Sequence, residues 1–152
     1  MTRFAPLTVV FSLLLAAGLA GCGSATDNRG AQSITVFAAD SLKKPFTEIG
    51  ERFKADNPGA SVGFTYGSSA DLVLQLVKGA GADAFASDEP NEMVKADQAE
   101  LLQGKPVAIA GQSYSIAVLK DAPNADLATK FVDLVAGEYG QKVLSEAGLA
   151  KP

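Results

Sequence analysis

The same event occurs twice in the first half of the chain. At residues 36–42 (VFAADSL) and again at residues 66–72 (YGSSADL), an apolar, strand-like run ends in small residues and serine, and helical periodicity begins at once. A helix start leaves backbone N–H groups without partners and carries the positive end of the helix dipole, and a serine hydroxyl placed there adds a donor without adding charge. Two such turns on one chain point to the capture of a small oxyanion.

The segments around these turns read as alternating strands and helices. Residues 34–37 are short and nearly all apolar, as a strand buried on both faces should be. From Ser41 onward, Leu42, Phe46, Ile49 and Phe53 recur at helical spacing, with Ser41 as the natural N-cap and Pro45 still in the first turn, until 57–59 (NPG) stops the helix. A second strand at 61–66 puts Val62, Phe64 and Tyr66 on one face, and a second helix near Ser69 buries Leu72, Val73 and Leu76. A third strand spans 83–86, and Ser87 or Asp88 caps a helix that carries Pro90, Met93 and Ala96 and fades near Leu101. This alternation predicts an α/β fold: a single open, mainly parallel sheet flanked by helices. Beyond it, 107–110 and 114–119 read as a hairpin across 111–113. Two helices then close the chain, one burying Leu127, Phe131 and Leu134, the other Tyr139, Val143 and Leu144, with Gly148 at the end.

Composition narrows the chemistry. The 152 residues suit one domain, and 13 basic against 17 acidic side chains, scattered along the chain, give no basic patch for nucleic acid. The chain has no histidine, which removes the usual general base and the commonest transition-metal ligand, so an enzyme is not expected, nor a cofactor, nor a cation held by protein ligands. Ser41-Leu42-Lys43-Lys44 matches the S-x-x-K opening of a serine–lysine hydrolase site, but the S-D-N and K-T-G partners are missing. Residues 1–21 read as a signal peptide: Arg3 is followed by an apolar run over 7–19 that is short for a membrane span. Its end, Leu19-Ala20-Gly21-Cys22, resembles a bacterial lipobox, which makes Cys22 a lipidation site and 22–33 a tether at the cell envelope, facing the extracytoplasmic side. The alternative is an ordinary signal peptide followed by a free thiol.

At VFAADSL, at YGSSADL and at residues 82–87 (ADAFAS), the sequence resembles the periplasmic molybdate-binding proteins of bacterial ABC importers, and residues 116–152 look like the end of the same family. The resemblance implies one lobe of a type II periplasmic binding protein, built from 34–104 and 114–152 and making up a single lobe over 34–152. It also implies an oxyanion ligand, molybdate or tungstate, and an ABC permease as partner. Carried over by position, Ser41 is a ligand contact, and so is Ser68 or Ser69, between which the resemblance does not choose. The family's second-lobe ligands have no counterpart, because 105–113 leads straight from one segment to the other. A single lobe leaves its ligand open on one side, and a homodimer would cover it. The alternative is a truncated remnant or interaction module that binds nothing. Two positions depart from the family pattern: Asp40 stands where a small residue is usual, and Asp88-Glu89 replaces Ala-Asp. A carboxylate at Asp40 facing the site would modulate it, repelling a bare dianion and favouring hydrogen phosphate; sulfate is the other alternative ligand.

Overall fold

The computed structural model describes residues 32–149. The segment expected as a signal peptide, Cys22 and most of the expected tether lie outside the described residues. Five strands form one sheet: β1 (Gln32–Ala39), β2 (Ala60–Gly67), β3 (Ala84–Ser87), β4 (Val107–Ala110) and β5 (Tyr114–Val118). Their order is β2-β1-β3-β5-β4. The strand expected at 34–37 is longer at both ends, and Gln32 and Ser33, assigned to the tether, already pair with Ala60 and Ser61. The sheet is mixed. β1 runs parallel to β2 and to β3, whereas β5 runs antiparallel to β3 and to β4, so parallel pairing is confined to the first three strands. The hairpin over 111–113 forces this reversal, because a tight turn joins only antiparallel strands.

Five helices cover the sheet: α1 (Lys43–Asp56), α2 (Ser69–Val77), α3 (Pro90–Gln98), α4 (Ala125–Ala136) and α5 (Glu138–Glu146). The alternation of strand side chains separates two cores. Ile34, Val36 and Ala38 of β1 face α1, α4 and α5, while Phe37 of the same strand, with Phe85 and Ala117, faces α2 and α3. On the first side Phe131 of α4 meets Phe46 and Phe53 of α1 edge to face, at ring-centre distances of 5.9 and 5.4 Å. Leu134, expected inside, is only partly covered, whereas Val135 next to it is fully buried.

Asp83 ties strand to helix. It is 4% exposed, and its carboxylate accepts the backbone N–H of Thr35 on β1 and of Asn124 just before α4, both at 2.8 Å. One buried carboxylate thus fastens a strand and the approach to a helix at once. The corner between α4 and α5 is equally specific. A Cβ on Gly140 would fall 2.2 Å from the Val135 carbonyl oxygen.

Two stability losses follow. Asp83→Asn turns an amide donor toward one of two N–H donors and lowers the unfolding free energy by about 1–3 kcal/mol. Gly140→Ala pushes against backbone that has nowhere to go and costs about 1–3 kcal/mol. Urea titrations followed by circular dichroism read both as lowered midpoints with unchanged slope.

Candidate functional site

The three parallel strands end at the same edge of the sheet, and each hands over to a turn that carries a polar side chain. β1 leads into a short 3-10 turn, Asp40–Leu42, before α1 begins. Ser41 therefore sits ahead of the helix and does not cap it, contrary to the expectation from spacing: Leu42 holds the cap position, with no side-chain cap bond. β2 leads through Ser68 into α2, and β3 leads through Ser87 into the turn of Asp88 and Glu89. Because β2 and β3 flank β1 on opposite sides, this edge is where the connections leave in opposite directions. In open α/β sheets that is the place where a crevice forms.

The adjacent serines divide their work. Ser68 is the N-cap of α2: its Oγ accepts the Asp71 N–H at 3.2 Å and donates to the Asp71 carboxylate at 2.8 Å. Ser69 points the other way and is fully buried. Its Oγ donates to Asp88 Oδ1 at 2.7 Å and accepts the Asp88 N–H at 3.2 Å. Ser41 Oγ donates to Asp88 Oδ2 at 2.8 Å. Two hydroxyls from two different strand ends thus converge on the two oxygens of one carboxylate. Asp88 is held in place from behind, since Ser87 Oγ accepts the Glu89 N–H at 3.0 Å and donates to the Glu89 carbonyl at 2.8 Å. Those bonds commit Ser87 to its own turn, and α3 begins after Glu89 without a side-chain cap, so neither Ser87 nor Asp88 is the cap that the sequence suggested.

The carboxylate that meets the serines is Asp88, whereas Asp40 lies exposed at the start of the 3-10 turn. Tyr66, at the end of β2, stacks on Phe64 at 5.5 Å and reaches the Lys43 carbonyl with its hydroxyl at 3.4 Å. Burial pushes its phenol above the ordinary range, so it stays protonated. Lys43 lies over the same ring, 5.8 Å from its centre. The aromatic body packs, and α1 opens with two lysines just after Ser41.

What the arrangement holds is one edge of two acceptor oxygens, which here belong to the Asp88 carboxylate. Both donors are neutral, so the selectivity of such a seat rests on hydrogen-bond geometry and on the charge of whatever fills it. Ser68 lies outside that pair. Ser68→Ala is expected to lower stability by about 1 kcal/mol through loss of the cap, and to leave anion affinity within twofold of the unmodified chain by calorimetry.

Comparison with known proteins agrees with the architecture. Residues 34–114 match the family described as bacterial extracellular solute-binding protein. The molybdate-binding protein ModA of Mycobacterium tuberculosis is 42% identical over 134 residues, covering 84% of this chain and 51% of that protein. The chain thus spans about half the length of the curated relatives it matches. Among solved structures, the periplasmic molybdate-binding protein of Azotobacter vinelandii superposes with a TM-score of 0.70 at 12% identity, covering 78% of this chain and 99% of that one. Iron-bound HitA of Pseudomonas aeruginosa superposes with a TM-score of 0.66, also at 12% identity, covering 76% of this chain and 84% of its own. Proteins named for such different ligands share this fold, so the fold alone does not choose the ligand.

Proposed function

Because this chain belongs to the family of bacterial extracellular solute-binding proteins, we propose that it captures a small oxyanion, molybdate or tungstate, outside the cytoplasmic membrane for an ABC importer. The observation that carries the reading is the meeting of Ser41 and Ser69 on one pair of acceptor oxygens at the ends of parallel strands. The 42% identity to a molybdate-binding relative supports the choice of ligand. Capture is an exchange of water for protein: serine hydroxyls and helix-start N–H groups replace the hydration shell of the anion, and the charge of the anion strengthens each bond. The reading involves no covalent step.

The seat is one wall. Water stays in contact with the far side of a ligand held there, so affinity lies below that of an enclosed cleft. The reading includes a second copy of the chain over the open face and a lipid anchor on Cys22. Sedimentation with and without molybdate tests the first of these, and detergent partitioning of the chain made in a bacterial host tests the second.

Titration calorimetry of the purified chain with sodium molybdate should show saturable heat, with sulfate and phosphate at least tenfold weaker. Ser41→Ala and Ser69→Ala should each weaken molybdate about tenfold or more, since a hydrogen bond to a charged group is worth about 1.5–3 kcal/mol. A well-folded sample that gives no heat with molybdate, tungstate, sulfate or phosphate overturns the proposal. Phosphate bound more tightly than molybdate overturns the choice of ligand and keeps the seat.

A further inference from the structure

Each serine hydroxyl has one hydrogen to give, and in this structure both hydrogens go to Asp88. The carboxylate stands where the outer anion would have to be. Ser69 is 0% exposed, and its hydroxyl hydrogen is committed to Asp88 Oδ1, so that donor is not available to an external group while Asp88 is in place. Its backbone is held by the Asp88 N–H to Ser69 Oγ bond, which leaves the side chain as the part free to turn. The same residue lines an open cavity of about 480 Å³ together with Glu89, Gln112, Ser113 and Tyr114, which leaves space beside the seat for a displaced carboxylate.

We propose that Asp88 is a tethered competitor: its carboxylate is the resident occupant of the two-serine seat, and an external oxyanion binds by displacing it. This rests on the oxyanion reading of the same seat. A dianion and the Asp88 carboxylate repel each other at contact distance and share the same two donors, so the two states exclude one another. A tethered group also competes at a high effective concentration, on the order of millimolar for short flexible tethers, which an outer ligand has to exceed. The seat therefore sets a threshold: it fills when the outer anion is abundant or offers more acceptor oxygens than the two of a carboxylate. Asp88 thereby becomes the residue that sets the affinity and the anion class of the seat.

The experiment compares the unmodified chain with Asp88→Ala and Asp88→Asn. Sodium molybdate is titrated by calorimetry, and sodium formate serves as a minimal carboxylate in thermal melts. Asp88→Ala should bind molybdate at least tenfold more tightly than the unmodified chain, with Asp88→Asn between them. Formate should raise the melting temperature of Asp88→Ala and leave that of the unmodified chain unmoved. Should Asp88→Ala fail to fold, Asp88→Asn keeps the shape of the side chain without its charge and carries the same comparison. Molybdate bound equally or more weakly by the variants overturns the inference and leaves the oxyanion reading standing, with Asp88 holding the two turns together. Formate stabilisation of Asp88→Ala without molybdate binding by any form overturns the molybdate reading and keeps Asp88 as the occupant of an anion seat. Silence from both probes overturns both.

Discussion

β1 is hydrogen-bonded along both edges by parallel partners, and the candidate site exists because of that constraint. Parallel pairing brings the ends of β2, β1 and β3 to one edge of the sheet, so Ser41, Ser69 and Asp88 meet although they come from three separate strand-to-helix turns. Neither serine reaches the other through local sequence. Burial on both faces fixes the register: Ile34, Val36 and Ala38 enter one core and Phe37 the other, and a slip of one residue would exchange them. The position of the serine hydroxyls is thus specified by apolar residues that never touch a ligand.

The turns themselves are stiffened by bonds other than those that Ser41 and Ser69 make to Asp88. Ser68 satisfies the start of α2, Ser87 closes its own turn around Glu89, and Asp83 fastens the neighbouring stretch of β1 to the start of α4. Conserving such geometry by side-chain bonds matters most where a sheet edge meets solvent, since an irregular backbone there has little packing to hold it. Side chains positioned this way have little conformational freedom left to lose.

The architecture was largely legible in the residue order. Periodic apolar spacing marks all five helices, and the hairpin over 111–113 stands out by its glycine and polar residues between two apolar runs. The departures have local causes. Ser41 reads as a helix cap because serine is the commonest residue type there, yet a single 3-10 turn intervenes and turns its hydroxyl outward to another strand end. Between Ser68 and Ser69 the family resemblance does not choose, but the S-x-x-D spacing from Ser68 to Asp71 is a capping signal, and it frees Ser69 for the site. Asp88 was visible as an unusual residue while its place was not. Convergence of three strand ends is a property of sheet order, and β3 lying beside β1 on the side away from β2 is not written in any one segment.

Filling an anion seat with an internal carboxylate couples stability to binding. Without the Asp88 carboxylate, the Ser69 hydroxyl would lose the protein acceptor that it has in the fold. On the displacement proposal, the bonds that complete the folded chain are the ones an external anion takes over, so removing Asp88 trades stability at the two hydroxyls for affinity. The displacement proposal reconciles an anion seat with an acidic chain of 13 basic and 17 acidic residues. Distant charges are screened over about 8 Å at physiological salt, and the negative charge that matters is the one already seated. On the same proposal, displacing it leaves the charge at the seat set by the incoming ion alone, and the contest turns on how well each competitor's oxygens meet the donors around them.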